Sequence, residues 1–213
     1  MNKLTERFTL AGGAGAMECL LDLPNEAPRG IALVAHPHPL YGGTMDNKVA
    51  QTLARTFVAL GYVAARFNFR GVGKSEGVHD DGRGETEDMA VMLAHMRARY
   101  PGLPVALSGF SFGTFVQAQL QQRLISEGRP AERLVLIGTA AGKWPMPPVP
   151  ADTILIHGEQ DDTITLAQVF DWARPQDLPV IVIPGADHFF HRKLGHIKAL
   201  VVQLWRQAGA NAA

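Results

Sequence analysis

Apolar runs with strand character alternate with helix-patterned segments along most of this chain, and no other feature limits its fold as strongly. Ile31–Ala35 is continuously apolar, which is typical of a strand covered on both faces. Lys48–Leu60 has its large apolar residues at helical spacing and stops at a glycine. Further strands are predicted at 62–67, 105–107, 134–137, 153–156 and 180–183, and further helices at 85–99, 114–124 and 193–207. This order favours an α/β fold with a mainly parallel central sheet and helices on both faces.

An antiparallel hairpin is predicted before the alternating region. The strands Arg7–Leu10 and Met17–Leu23 are joined by the segment Gly12–Gly15, whose glycines favour a tight turn. The length of 213 residues suits one α/β domain with a sizeable core. Residues 1–213 are therefore assigned to a single domain.

Composition excludes several classes of partner. Twenty basic residues balance twenty acidic ones, so no strong field favours nucleic acid or an anionic membrane surface. The single cysteine, Cys19, rules out an internal disulfide and fits a reducing compartment. The first residues do not resemble a signal peptide, and no apolar run approaches the ~20 residues that span a bilayer. We expect a cytoplasmic protein that acts on a small molecule, as a monomer or a homodimer.

The pentapeptide Gly109-Phe110-Ser111-Phe112-Gly113 lies between a predicted strand and a predicted helix. Strand, G-x-S-x-G and helix together form the context of a nucleophile elbow, which exposes a serine hydroxyl above the edge of a sheet. Glycine is needed at both flanking positions because the backbone passes too close to its neighbours for a β-carbon. Ser111 is therefore the candidate nucleophile.

Two later segments offer the base and the acid that a serine nucleophile requires. Residues 157–162 follow one predicted strand and include Asp161 and Asp162, and residues 184–190 follow the next and include His188. The functional groups of open α/β sheets collect beyond the carboxyl ends of the strands, where both segments lie. The order serine, aspartate, histidine is also the one expected for a nucleophile-elbow hydrolase.

Three long motifs connect the chain to a known family. They are H-P-H-P-L-x-G-G-T-M-D-N-K at residues 36–48, R-F-N-F-R-G-V-G-x-S-E-G at 66–77 and G-F-S-F-G at 109–113. On these motifs the chain resembles a small, lidless bacterial member of the α/β-hydrolase superfamily, in a group of predicted serine hydrolases and carboxylesterases. The resemblance runs from the first strands to the last helix. It implies the α/β-hydrolase fold, no cap domain and a Ser-His-Asp triad.

The same resemblance distributes the remaining roles of the triad. Asp161 fills the fifth place of an H-G-x-x-D pattern and is the expected acid, with the adjacent Asp162 as the alternative. His188 ends a G-x-x-H pattern and is the expected base, with His191 as the competitor.

The oxyanion hole requires two preorganised N–H donors. One is expected from the backbone of Phe112, the residue after the nucleophile. The other is expected from the loop after Ile31–Ala35, where the prolines at 37 and 39 have no N–H to donate. The resemblance selects His38, with Leu40 as the alternative. To bind a metal, His36 and His38 would need acidic or cysteine ligands at metal-site spacing, and the sequence has none there. We therefore expect neither a metal nor a cofactor.

The connection between the strands at 134–137 and 153–156 is too short for a helical cap. An uncapped site favours small soluble substrates over packed lipid. Six side chains are candidates for the substrate pocket: Leu40, Tyr41, Phe110, Trp144, Met146 and Phe189. The glycine-rich loop at 68–75 lacks the P-loop pattern, and we expect Arg70 in it to be structural.

These observations predict a serine hydrolase, of the carboxylesterase type, that cleaves esters of small or medium acyl groups through an acyl-enzyme. A thioesterase acting on acyl-CoA, with Lys48, Arg70 and Lys74 near the phosphates, or a peptidase is the alternative. A non-catalytic interaction protein that keeps the fold is a third hypothesis.

Overall fold

The computed structural model describes residues 4–210, and the side chains of residues 4–206. The two ends of the assigned domain, 1–3 and 211–213, lie outside the described residues. The strands are β1 Thr5–Gly12, β2 Gly15–Asp22, β3 Gly30–Ala35, β4 Tyr62–Phe67, β5 Val105–Phe110, β6 Arg133–Ile137, β7 Ile154–Gly158 and β8 Ile181–Ile183. The helices are α1 Lys48–Ala59, α2 Arg83–Arg99, α3 Phe112–Ser126, α4 Leu166–Ala173 and α5 Leu194–Ala210, with short 3-10 helices at Pro39–Tyr41 and Arg174–Gln176.

The eight strands form one sheet in the order β1-β2-β4-β3-β5-β6-β7-β8. The hairpin β1–β2 is antiparallel and pairs antiparallel with β4, and every other pairing is parallel. The predicted fold class is therefore confirmed. Because the parallel strands all run the same way, the segments that follow β3, β5, β7 and β8 meet at one edge of the sheet. These four segments contain the predicted oxyanion loop, nucleophile, acid and base.

Helices cover both faces of the sheet and enclose two apolar cores. On one face, α1 and α5 pack on the sheet through residues such as Phe57 and Trp205. On the other face, α2, α3 and α4 do so through Met89, Val116 and Val169. Strands β3, β4 and β5 contribute to both cores, and every residue in them is buried.

The structure refines three local predictions. Helix α1 begins at Lys48, as predicted, and ends one residue earlier than predicted, at Ala59. Asn47 directly precedes the helix and caps it, because its side-chain oxygen accepts from the N–H of Val49 at 2.9 Å. Strand β7 extends to Gly158, so the histidine at 157 lies inside it. Between β6 and β7, residues 138–153 form a loop without a helix, as expected for a chain that lacks a cap.

Two glycines allow the first turn of α3 to approach its neighbours closely. A β-carbon on Gly109 would lie 2.4 Å from the carbonyl oxygen of Gly113, and one on Gly113 would lie 2.6 Å from that of Ala35. Both distances are far inside van der Waals contact, and both obstacles are backbone atoms that no side-chain rotation removes. The helix that follows Ser111 is thereby packed against the end of β3, where the loop at 36–43 begins.

We predict that Gly113→Ala destabilises the fold by about 1–3 kcal/mol, because the added methyl group must displace backbone. The matched control is Gly195→Ala in the first turn of α5, where a β-carbon meets no atom within 4 Å. Alanine favours helix at such a position and should be neutral or stabilise by up to about 1 kcal/mol. Urea unfolding monitored by circular dichroism measures both. Equal midpoints for the two variants would contradict the close packing of α3 on β3.

Candidate active site

Ser111 lies at the junction of β5 and α3 in a strained backbone conformation. Its φ of 53° and ψ of −123° lie outside the regions that side-chain-bearing residues favour, at a cost of roughly 1–3 kcal/mol. Its N–H donates to the carbonyl of Ile137 at 3.0 Å, and its carbonyl accepts from the N–H of Thr114 at 2.8 Å and from the Thr114 hydroxyl at 2.6 Å. The neighbouring strand and the first turn of α3 therefore hold the elbow from both sides.

The structure brings Ser111, His188 and Asp161 together. His188 Nε2 lies 3.0 Å from the Ser111 hydroxyl oxygen, and His188 Nδ1 lies 2.7 Å from Asp161 Oδ2. A carboxylate only accepts hydrogen bonds, so Nδ1 carries the proton and Nε2 is free to accept one from the serine. All three residues are between 4% and 8% exposed. The arrangement can remove a proton from the serine hydroxyl and hold the resulting imidazolium beside a buried carboxylate.

The two alternative residues lie elsewhere. Asp162 is exposed, and its carboxylate accepts from the Thr163 hydroxyl at 3.4 Å. His191 is also exposed and pairs with Asp187 at 2.6 Å. The imidazole of His188 is thus joined to Asp161, and the competitors named from sequence do not contact Ser111 or His188 through a hydrogen bond among the described residues.

The buried His157 supports the turn that carries Asp161. Asp161 Oδ1 accepts from the N–H groups of Thr163 and Ile164, at 3.0 and 2.8 Å. His157 Nε2 lies 2.8 Å from the Ile164 carbonyl and 3.5 Å from Asp161 Oδ2. Burial lowers the pKa of His157, so the ring is neutral and donates through Nε2–H. His157 therefore closes the turn that presents Asp161 to His188.

A second buried histidine fixes the loop after β3. His36 is fully buried, and its Nε2 accepts from the N–H of Phe69 at 2.9 Å. Nδ1 must then carry the proton, which it donates to the Pro37 carbonyl at 2.6 Å. Among the described residues every peptide bond is trans, so the Pro37–His38 peptide directs its N–H away from its carbonyl. By holding that carbonyl, His36 sets the direction of the His38 N–H.

The two candidate oxyanion donors of this loop, His38 and Leu40, differ in the hydrogen bonds that their N–H groups make. The Leu40 N–H is already used, because it donates to Nδ1 of His38 at 3.2 Å. Within residues 4–210, no acceptor takes a hydrogen bond from the His38 N–H. The Phe112 N–H is at the first position of α3, where a helix offers no carbonyl partner of its own. The geometry thus leaves Phe112 and His38 available to an external acceptor.

A cavity of about 340 Å³ opens directly onto Ser111. It is lined by His38, Tyr41, Ser111, Phe112, Ala140, Lys143, Trp144, Thr163 and Ile164. Of the six side chains predicted for the substrate pocket, Tyr41 and Trp144 line it. Tyr41 is 87% exposed and forms part of its rim.

The other four predicted pocket residues do not line the cavity. Phe110 is fully buried beneath the imidazole of His188, with the ring centroids 5.1 Å apart. Phe189 packs on His188 at the same distance, so these two phenylalanines hold the imidazole of His188. Leu40 faces solvent at 70% exposure, and Met146 packs against the core under α4. Sequence patterns indicated apolar residues near the site but contained no signal for which face of each loop they occupy.

The cationic side chains expected near bound phosphates also lie elsewhere. Arg70 forms a two-point ion pair with the buried Asp88, with both distances at 2.9 Å, which agrees with the expected structural role. Lys48 lines a separate depression beside Phe189, and Lys74 is exposed on the loop near Glu18. The one cation that lines the cavity beside Ser111 is Lys143, which is not among the residues predicted from the sequence.

The described residues contain no group of three or more His, Cys, Asp or Glu side chains placed to hold a metal ion. Both ring nitrogens of His36 are engaged with backbone groups, so it is not available as a ligand. Burial raises the pKa of the Cys19 thiol to about 12, which makes it an inert core residue. Within the same residues, no helix has the length and apolar character to cross a bilayer.

Comparison with known proteins identifies the family. The family model described as "Serine aminopeptidase, S33" (Hydrolase_4) matches residues 26–157, which is more than half of the chain. The chain belongs to this family of α/β hydrolases. An uncharacterized protein of Rickettsia prowazekii, RP471, is 33% identical over 177 residues, covering 76% of this chain and 73% of that protein.

Solved structures agree over nearly the whole fold. The crystal structure of XC6422 from Xanthomonas campestris, described as an α/β serine hydrolase without a lid, has a TM-score of 0.89 at 32% identity and covers 97% of this chain and 96% of that chain. An α/β serine hydrolase homologue from Coxiella burnetii has a TM-score of 0.81, also at 32% identity, covering 95% and 97%. The resemblance inferred from the motifs is confirmed for family and fold.

A shorter match connects the chain to a lipid hydrolase. The lysophosphatidylserine lipase ABHD12 of Danio rerio is 33% identical over 106 residues, which is 48% of this chain and 28% of that protein. The match covers less than a third of the lipase, so it supports the shared hydrolase family and no particular substrate.

Burial of His36 predicts a pH-dependent loss of stability. Burial lowers the pKa of His36 from 6.5 to about 3. Below pH 6.5 the His36 ring therefore binds a proton in the unfolded chain, whereas in the folded protein it does so only near pH 3. When the pH falls from 7.5 to 5.0, this one site lowers the free energy of unfolding by about 2 kcal/mol.

The variant His36→Asn removes the titrating ring, and asparagine keeps a donor near the place of Nδ1. We expect it to be less stable than the wild type at pH 7.5 but to lose about 2 kcal/mol less between pH 7.5 and 5.0. Urea titrations at the two pH values measure the difference, with His157 present in both proteins as a common background. An identical loss in the two proteins would show that His36 is not the group responsible.

Proposed function

We propose that this chain is a serine hydrolase that cleaves carboxylic esters of small to medium acyl groups. The observation that carries the proposal is the continuous hydrogen-bonded series from the Ser111 hydroxyl through His188 to Asp161. A serine hydroxyl in water is a poor nucleophile, and a base at 3.0 Å that is held in the right tautomer makes it a competent one. The family match and the similarity to a lidless serine hydrolase support hydrolase chemistry.

In the proposed mechanism, Ser111 attacks the ester carbonyl while His188 Nε2 accepts the hydroxyl proton. Asp161 keeps the ring oriented and stabilises its positive charge. His188 then gives the proton to the departing alkoxide, which leaves as an alcohol and forms an acyl-serine. A water molecule attacks this acyl group with His188 again as base, and the acid is released with Ser111 restored.

We assign the stabilisation of the negative charge that develops on the carbonyl oxygen to the N–H groups of Phe112 and His38. Both are backbone donors on rigid segments, one at the start of α3 and one on the proline-bounded loop that His36 holds. A donor fixed before the reaction costs no reorganisation when the charge appears, and loss of one such donor costs roughly 100- to 1,000-fold in rate.

Ester hydrolysis fits the cavity better than aminopeptidase activity does. A free amino terminus is cationic and needs a carboxylate near the cavity, whereas the lining has Lys143 and no acidic side chain. The volume of about 340 Å³ is near the lower end of ligand pockets, so a short acyl group fills it and a long lipid chain does not. An acyl-CoA thioesterase is less well supported, because none of its expected phosphate contacts lines the cavity: Lys48, Arg70 and Lys74.

The decisive experiment compares purified variants on p-nitrophenyl esters of two to twelve carbons, beside acyl-CoAs, an aminoacyl p-nitroanilide and lysophosphatidylserine. We expect the wild type to prefer the short esters and Ser111→Ala to be inactive. Asp161→Asn should lower kcat by about 100- to 10,000-fold, because the base loses its tautomer and its counter-charge. Asp162→Asn, the matched neighbour, should stay within about twofold of the wild type because surface charges contribute little.

Three outcomes would contradict the proposal. Equal effects of the two aspartate variants would remove the assignment of the acid. A clear optimum at long acyl chains would conflict with the size of the cavity. Hydrolysis of the anilide or of acyl-CoA in preference to every ester would replace the substrate class.

A further inference from the structure

Four aromatic rings form one wall of the cavity beside Ser111; those of His38, Tyr41 and Trp144 are at least partly exposed, and that of Phe112 is buried behind them. The His38 ring has centroid distances of 4.8 Å to Tyr41, 4.8 Å to Phe112 and 5.5 Å to Trp144, and Phe112 lies 4.8 Å from Trp144. Phe115, outside the cavity, stacks on Trp144 at 5.4 Å with an interplanar angle of 26°. The wall is therefore a fixed set of π surfaces, which favours planar aromatic ligands that can stack on it.

A single cation completes the lining. Lys143 precedes Trp144, and the N–H groups of both donate to the Ala140 carbonyl, at 3.2 and 3.0 Å. This tight turn fixes the backbone from which the lysine projects. Between residues 4 and 206, ion pairs are formed by arginine and histidine and none by a lysine. No acidic side chain lines the cavity to neutralise the charge.

We propose, on the basis of the ester hydrolase function inferred above, that the site selects small aryl esters that carry an anionic substituent. The aryl ring stacks on the accessible parts of His38 and Trp144, which the buried ring of Phe112 supports, and the anion faces Lys143. Both recognition features lie beside the nucleophile and not along an extended channel, so ring and anion belong to one compact substrate. The reaction itself is unchanged, because water cleaves the ester into an acid and an alcohol and Lys143 makes and breaks no covalent bond.

The charge of the histidine in the wall supports this division of roles. His38 Nδ1 accepts from the Leu40 N–H, and burial lowers the pKa of His38, so its ring is neutral. An anionic substrate therefore meets one positive charge, at Lys143. The site is thereby able to distinguish a carboxylate from a neutral group of the same shape.

The test is a double comparison of substrate charge and lysine charge. The substrates are two isosteric pairs: 4-acetoxybenzoate with 4-acetoxybenzamide, which place the anion on the alcohol side, and methyl 4-carboxybenzoate with methyl 4-carbamoylbenzoate, which place it on the acid side. The proteins are the wild type, Lys143→Gln, Lys143→Arg and Lys74→Gln. Lys74 is the matched control because it is an exposed lysine that does not line the cavity.

We expect Lys143→Gln to raise KM for the anionic member of at least one pair by about threefold to fivefold, with KM for the neutral member unchanged. The contact exists before and during the reaction alike, so kcat should not change. Lys143→Arg should restore the preference, Lys74→Gln should resemble the wild type, and 0.5 M NaCl should weaken the discrimination. The pair that responds shows on which side of the ester the aryl group binds.

An unchanged ratio of anionic to neutral KM in Lys143→Gln, for both pairs, would overturn the proposal. So would equal effects of Lys143→Gln and Lys74→Gln, which would mean that general surface charge is responsible. These failures are distinct from failure of the esterase function, because there the wild type would not hydrolyse the neutral members either.

Discussion

The close approach of α3 to the end of β3 is the constraint on which the rest of the site depends. It is possible only because Gly113 has no side chain where the carbonyl oxygens of Ala35 and His36 pass. This contact places the first N–H groups of α3 beside the loop at 36–43 and leaves Ser111 in its strained conformation between them. Ser111 and both candidate oxyanion donors are therefore positioned by one packing contact between backbone segments.

Buried neutral histidines then fix the two loops that flank Ser111. His36 holds the Pro37 carbonyl and thereby directs the His38 N–H, and His157 holds the Ile164 carbonyl and closes the turn at Asp161. Each ring makes its hydrogen bonds in a single tautomer, and burial keeps each uncharged. The two loops are thereby fixed in the places where a transition state needs fixed partners.

Much of this was predictable from sequence, and the reasons are local. The continuous apolar run of β3 and the glycines of the elbow each have one physical explanation, so the sheet and the position of Ser111 follow from them. The strand ends that carry Asp161 and His188 are equally predictable, because parallel strands gather their carboxyl ends at one edge. The lining of the cavity was harder to predict, because Phe110 and Phe189 pack on His188, whereas Lys143 lines the cavity. The directions of these side chains depend on loop conformations that no periodicity encodes. The roles of His36 and His157 were also hidden from sequence, because their hydrogen-bond partners are backbone groups.

The central claim is that Ser111 is a nucleophile activated by His188. It is tested most directly by reaction of the purified protein with a fluorophosphonate, followed by digestion and tandem mass spectrometry. The account predicts one adduct per chain, located on Ser111, whose rate of formation falls by orders of magnitude in His188→Ala while the fold is retained by circular dichroism. An adduct at another residue, or a rate on Ser111 that does not depend on His188, would contradict it.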